Sequence, residues 1–522
     1  MFKNIFPVLL ISISFHISAQ QYKVKWGKLE KRTGALYSII PRSGDDFFAL
    51  RITGGGVFGS LKLSKHKALE LIASGKISLK VNESMANFED VTCIGDHLMV
   101  FLSDKRDKKN QLFMQEYGED LKPKGKPIKL GEYEIPKGRS NGSFEVVHSK
   151  DSQFFGVIWE TYNRKESKTS YGFHIYDNEL NTVSEGNYEL PYDSNLSKIY
   201  ANYLSNTGDY FISILEYSEP EEQKLFQKHL NYKAFHITHI TPDGLEDFTL
   251  DIEGKRIEAM EMQSDDDHLF TITGIYGAEN KSGISGVFYM RVDFNKQEIV
   301  DKGFEDFGKD FITQDWSDRQ KIKADKKERK GKGEPQLFNY EMREATVLKD
   351  GSIVASMEQY YVLTSTYTDP RTGSTRTTYT YYYNDIIAFK VGANGGFDWL
   401  KKINKQQVST NDWGSYSSYA RFIDDGKLYF IFNDNIKNYT ESGKFIDGEI
   451  YASNFGKRKN TVGLVEVDLN TGDVNRQSFF NGKEITSLAI PKLFITDYIT
   501  KQLILYTVSG RKEMFGVINF KE

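Results

Sequence analysis

Along almost the whole chain, apolar residues come in short runs of Val, Ile, Phe and Tyr, broken every few positions by Gly, Asp, Asn and Ser. No run sustains the 3.6-residue period of an amphipathic helix, so the pattern predicts strands and tight turns throughout. The clearest unit starts at Phe88. FEDVTCI leads to a turn at Gly95-Asp96, then HLMVFLSDK, a polar turn, QLFMQEY, a turn at Gly118-Glu119-Asp120 and KGKPIKL, which ends at Leu130. Four strands joined by hairpins are the content of one β-propeller blade.

The same order returns from Phe144 and near Tyr203, Met260, Ala345, Tyr419 and Leu493. Inner hairpin turns are expected at Asp45, Asp96, Asp151, Asp209, Asp266, Asp350, Asp425 and Asp497, which gives eight blades, or seven if one hairpin is miscounted. A second series of turns, at Asp177-Asn178, Pro242-Asp243-Gly244, Phe294-Asn295, Asn394-Gly395-Gly396 and Asn470-Thr471-Gly472, joins the third and fourth strands of several units. The chain ends on only three strands, LFITDY, KQLILYTVS and EMFGVINF. The missing fourth is available near the amino terminus as QYKVKW, residues 21–26, and pairing the two ends would close the ring and remove its open strand edges. The expected fold is therefore all-β, a propeller closed by an amino-terminal strand.

Two segments depart from the repeat. Residues 321–332, KIKADKKERKGK, hold seven basic and two acidic residues with no apolar period. They read as a solvated basic loop inside an insertion at 311–338. Residues 359–385 read as a long projecting hairpin, QYYVLTSTYT and TRTTYTYYYND around Asp369-Pro370-Arg371-Thr372-Gly373. On its return strand Tyr379, Tyr381 and Tyr383 alternate onto one face, and Tyr361 and Tyr367 form part of one face of the outgoing strand. Such tyrosines can stack on sugars or anchor a protein, or they can simply stabilise the hairpin by cross-strand pairing.

Hydrophobic residues make up 39% of the chain and aromatics 14%, ample for a packed core. The 68 basic and 72 acidic residues nearly cancel, so overall charge selects neither nucleic acid nor an anionic membrane. The start, Met1-Phe2-Lys3-Asn4 followed by an apolar run to Ile17 and then Ala19, has the form of a signal peptide over residues 1–19. Residues 20–522 would then be one exported propeller domain, with no transmembrane segment in the mature chain. The one cysteine, Cys93, sits in VTCI and reads as a small core residue.

Candidate chemistry is sparse. Gly54 to Gly59 formally fits a dinucleotide-binding glycine pattern but sits among hairpins, without the helix and acidic strand end that pattern needs. His236 and His239 are three apart on a strand and so face opposite ways, and Asp265-Asp266-Asp267 lacks the spaced oxygens of a calcium loop. No His-Glu-x-x-His, Gly-x-Ser-x-Gly or phosphate-binding loop occurs. No cofactor, metal or catalytic residue is nominated, and an exported chain is not expected to meet nucleic acid.

Several stretches resemble a family of uncharacterised exported propeller-like proteins of the Bacteroidetes. They are Gly286 to Met290 (GVFYM), Gln359 to Val362 (QYYV), Tyr381 to Ile387 (YYYNDII), Trp399 to Lys402 and Val408 to Asp412. The resemblance implies an envelope location and a propeller fold, and implies no activity. A trailing sorting domain of the kind that sends many Bacteroidetes proteins to the cell surface is not seen, which favours the periplasm over the extracellular side.

Two readings of function follow. In the first, the protein is a non-catalytic propeller binding an envelope protein or glycan through the aromatic hairpin and the basic loop. In the second, it is a hydrolase or lyase whose residues converge at the propeller axis. Clustered Asp, Glu, His, Arg or Tyr around the axis would favour the second, and an apolar channel the first.

Overall fold

The computed structural model describes residues 22–520 apart from 43–45, 55–59, 136–141, 164–165, 219–230, 251, 253, 267–268, 279–282, 331–334, 449, 454, 457 and 482–483. Eight antiparallel blade sheets succeed one another along the described residues, with a two-stranded ribbon, Lys80–Val81 and Ser84–Met85, between the first and second. Blades 1 to 7 occupy 35–76, 87–134, 144–189, 197–250, 255–306, 340–403 and 420–481, each a four-stranded meander. Blade 8 combines residues 488–519 with two short strands from the other end of the chain, Lys25–Trp26 and Glu30–Lys31.

The first strands of the blades form the inner ring. These are Ala35–Pro41, Asn87–Ile94, Phe144–His148, Ser197–Leu204, Lys255–Asp266, Tyr340–Val347, Ala420–Asp424 and, in blade 8, Ile495–Asp497. Neighbouring first strands lie side by side from blade 1 through blade 6, from blade 7 to blade 8, and from blade 8 back to blade 1. Blades 6 and 7 are joined through Arg421, whose guanidinium donates to Glu344 O at 2.7 Å and Thr346 Oγ1 at 2.9 Å. The fold is an eight-bladed β-propeller.

Five of the eight first strands carry a bulge at the same place, leaving Tyr37, Glu89, Tyr200, Glu258 and Arg343 out of register with the second strand. A bulge bends and twists a strand and re-aims its side chain, which suits a strand turning around a crowded axis. The hydrophobic clusters lie between blades: Val100, Leu50 and Phe113 join blades 1 and 2, and Phe101, Phe155 and Trp159 join blades 2 and 3. Phe430, Ile386 and Val465 do the same between blades 6 and 7. Each blade is therefore apolar on both faces through its second and third strands, as the unbroken runs in the sequence require.

Closure occurs where the sequence places it. Lys25 and Trp26 pair with Val517 and Gly516. The Trp26 ring meets Phe480 edge-on at 5.2 Å, and Tyr22 donates to Asp424 of blade 7. Arg51 of blade 1 and Glu513 of blade 8, both buried, form an ion pair at 2.6 Å across the seam.

The basic segment corrects the sequence reading. The chain forms two helices, Lys309–Thr313 at the start of the insertion and Asp318–Arg329 within it, the second covering most of the segment read as a loop. A capping box between Ser317 and Gln320 starts the longer one, and Lys309 holds it by ion pairs to Asp325 at 2.8 Å and Glu328 at 2.5 Å. Only Ala324 of that helix is buried, so it needs little apolar period. Among the described residues no helix is long and apolar enough to cross a membrane.

Candidate functional site

Blade 6 holds the long hairpin, built from Ile353–Thr368 and Thr375–Val391. Inside the blade, the return strand pairs outward with Phe397–Ile403 from Ile386 to Val391. At Gln359, opposite Asn384 and Asp385, the register shifts and that fourth strand ends. Beyond it a short strand, Gln407–Thr410, takes over and pairs with Thr380 to Tyr383. The hairpin thus has a base clamped on both sides and a free tip.

The five tyrosines divide accordingly. Cross-strand partners are Tyr360 with Tyr383, Val362 with Tyr381 and Thr364 with Tyr379, whereas Tyr361 lies opposite Tyr382 and Tyr367 opposite Arg376. Tyr379, Tyr381 and Tyr383 therefore share one face, and Tyr361 and Tyr367 occupy the other. Tyr381 and Tyr383 are only 6% and 5% exposed. Tyr367, near the tip, is 62% exposed, and Tyr379, where Asn411 ends the clamp by bonding its backbone N–H and C=O, is 44% exposed. Tyr361 is partly buried and stacks on Tyr382 at 4.6 Å.

A loop from Asn411 to Ser418 covers the base and presents Trp413 to solvent, 80% exposed and 6.2 Å from the Tyr381 ring. Asn411, Trp413 and Ser418 all adopt positive φ. Asp412 holds the turn by accepting from Ser409 Oγ at 2.6 Å and Gly414 N at 2.9 Å. Gly414 is obligatory: its φ is +60°, and a Cβ there would lie 2.5 Å from the Tyr383 ring.

Beneath this loop lies a buried ionic network that no sequence motif announced. Glu358, fully buried, accepts from Lys405 Nζ at 2.7 Å, Arg343 Nη2 at 2.9 Å and Ser418 Oγ at 2.7 Å. Lys405 also donates to Tyr383 O at 2.9 Å and Gln407 Oε1 at 3.1 Å. Burial pulls the Lys405 ammonium below its ordinary range, and Glu358 opposes that pull. Lys492, from blade 8, sits over the Tyr383 ring and donates to its hydroxyl at 2.6 Å. The Lys492 side chain is exposed overall, but the protein packed around its ammonium displaces part of its hydration and lowers its pKa to about 8.

Next to the network is a cleft of about 330 Å³ at the inner ends of blades 6, 7 and 8, with Arg343, Glu344, Tyr419, Arg421, Lys492 and Tyr498 among its walls. On the neighbouring first strand of blade 5, Glu261 is raised to about 7, chiefly by burial and then by Glu344, with Arg421 opposing. The axis is thus charged on this side. The available signal was an ion inside an apolar strand, Glu358 in IVASMEQYYV or Arg421 in YARFID, since a buried charge needs a partner elsewhere in the chain.

The remaining candidates resolve locally. Cys93 is partly buried, and burial pushes its thiol up to about 12, which leaves it unreactive. Gly54 follows strand Asp46–Thr53 and precedes Ser60–Lys67, so its stretch is a strand-to-strand connection whose residues 55–59 lie outside the described ones. His236 contacts Asp247 at 3.2 Å and Glu216 at 3.4 Å, while His239 contacts Asp209 and Glu246. The side chains of Asp265 to Asp267 lie outside the described residues.

No family model matches this chain, and no curated protein does. Solved structures do show similarity. The WD40 domain of SCAP from fission yeast aligns over 96% of this chain and 94% of its own, with 8% identity and a TM-score of 0.37. A Synechocystis apocarotenoid oxygenase variant aligns over 88% and 94%, at 10% identity and a TM-score of 0.33. The Pyrococcus horikoshii acylaminoacyl peptidase aligns over 91% of this chain and 57% of its own, also at 10% and 0.33.

Proposed function

We propose that the protein is an exported, non-catalytic propeller that binds a protein or glycan partner in the cell envelope, with the free tip of the blade 6 hairpin and Trp413 as its contact surface. The observation that carries this reading is the combination of a rigid base with exposed rings. Tyr367, Tyr379 and Leu363 stand in solvent on a hairpin whose base is clamped by a third strand and an ionic network, with Trp413 exposed on the loop beside it. Large apolar side chains held out this way do nothing for the core, and exposed aromatics on a pre-organised support are the usual anchors of recognition. Three non-glycine residues at positive φ in the Trp413 loop add backbone strain at the same place. Export is supported by the apolar leader-like start of the chain.

Photo-cross-linking in the native envelope tests the reading. A photoreactive residue at position 367 or 379 should give one discrete adduct, identified by mass spectrometry or glycan analysis, and one at the exposed Val474 of blade 7 should not. Identical patterns from all three positions would overturn it.

A second reading, a hydrolase or lyase acting at the axis, is favoured by one feature, the charged cleft with a lysine whose pKa is drawn towards neutrality. It requires turnover of an envelope polymer that Lys492→Met abolishes.

A further inference from the structure

We propose that the axial cleft between blades 6, 7 and 8 is a binding site for a small organic anion, a ring bearing a carboxylate or phosphate held by Arg421 and Lys492. Three cations line the cleft, Arg343, Arg421 and Lys492, against one carboxylate, Glu344. Arg343 is already matched, since it bonds Glu358 at 2.9 Å and pairs with Glu341 at 3.2 Å. Neither of the other two is hydrogen-bonded to a carboxylate: Arg421 has only the long pair to Glu344, and Lys492 stands exposed at the edge of the cleft.

Arg421 is 3% exposed, yet every hydrogen bond it makes goes to a neutral acceptor: Glu344 O, Thr346 Oγ1 and Val354 O. Its Nε has no partner among the described residues, and Glu344 Oε1 stays 3.9 Å away on a side chain that is 42% exposed. Glu261, the other nearby acid, is raised to about 7 by burial and by Glu344, and it makes no hydrogen bond to Arg421. Lys492 likewise donates only to neutral oxygens, Tyr383 Oη at 2.6 Å and Trp413 O at 3.4 Å. A buried guanidinium without a hydrogen-bonded counter-ion is unfavourable by itself, and an oxyanion entering the cleft would supply both the charge and the acceptor that Nε lacks.

The space sets the ligand class. A cleft of about 330 Å³ is far larger than an inorganic ion needs and falls at the small end of organic-ligand pockets. Tyr498, 44% exposed, and Tyr419 give it aromatic walls suited to a ring. The site does not involve the hairpin tip, so failure of one proposal leaves the other standing.

Isothermal titration of the full mature chain with galacturonate, benzoate, galactose and inorganic phosphate tests the assignment. The ring carboxylates should bind with Kd below about 1 mM and galactose should show no heat, because neutral hydroxyls do not replace the missing counter-charge. Lys492→Gln should weaken binding by about tenfold or more, as should Arg421→Lys, which keeps the charge and loses the fork. Arg421 also bridges two blades, so Lys492→Gln, with its melting midpoint as the control for folding, decides the matter if Arg421→Lys is unstable. Absence of binding by both ring acids, equal binding of galactose, or unchanged affinity in folded Lys492→Gln would overturn the site. Inorganic phosphate binding as tightly as the ring acids would overturn the organic class. Replacing residues 363–379 by a short turn should leave this binding intact while removing the envelope cross-links.

Discussion

Blades 8 and 6 both break the four-stranded repeat, and they break it in opposite senses. Blade 8 borrows strands from the far end of the chain, and its extra residues turn inward: Trp26 packs on Gly516 and Phe480, Tyr22 reaches Asp424, and Arg51 pairs with Glu513. Blade 6 extends two of its own strands outward until nothing covers them. The first irregularity removes strand edges and completes the ring. The second creates exposed surface that stability does not require, and that difference separates scaffold from contact surface.

The largest effect is expected at the seam. Deleting residues 21–26 removes the closing strand together with buried Tyr22 and the Trp26 contact, a loss on the order of 6 kcal/mol if each aromatic counts about 3. The unfolding midpoint should fall far more than after deletion of residues 321–332, which removes one exposed helix; equal losses would mean that closure contributes little. Within blade 6, Glu358→Gln should cost about 3–5 kcal/mol in chemical denaturation, because Arg343 and Lys405 then lose their shared counter-ion. Tyr383→Ser should cost about 3 kcal/mol or more, since a buried ring is lost under Gly414 and Lys492 loses its acceptor. A cost below about 1 kcal/mol for both would make the base as dispensable as the tip.

A pH series sharpens the boundary between them. The Lys492 pKa falls to about 8 on folding, from an ordinary 10.5. Below pH 8 both folded and unfolded chains hold the proton, and the burial penalty on the folded form is complete. Between pH 8 and 10.5 the unfolded chain still binds the proton that the folded chain has released, so stability rises with pH. The melting midpoint of the native protein relative to Lys492→Met should therefore climb across that window; a flat difference would mean that solvent reaching the exposed Lys492 side chain cancels the shift.

Much of the scaffold was readable from the chain. Asp96, Asp151, Asp209, Asp350 and Asp425 sit in the inner turns or at their edges, Asp266 and Asp497 end first strands, and Asp45 lies outside the described residues. Turns are local chemistry, so sequence reports them directly. Alternation likewise put Tyr379, Tyr381 and Tyr383 on one face, but it could not show that Gln407–Thr410 clamps two of them, because that strand is paired across a bulge and a chain reversal. The same bulge-dependent register places Tyr361 and Tyr367 on the opposite face. The helix at Asp318–Arg329 was hidden because its support is ionic, although Ser317 and Gln320 already formed a capping pattern. Glu358, Arg421 and Lys492 were missed because charges brought together from three blades leave no short motif.

The smallest effect on stability should coincide with the largest on function, at the tip. The triple variant Tyr367→Ser, Tyr379→Ser, Trp413→Ser changes only rings that are 62%, 44% and 80% exposed. Its melting midpoint, measured beside photo-cross-linking from the exposed Leu363 position in the native envelope, tests the separation of scaffold from contact surface most directly. The account predicts a free energy of unfolding within about 1 kcal/mol of the native protein and loss of the adduct. A folded triple variant that keeps the adduct, or one that loses several kcal/mol of stability, would contradict it.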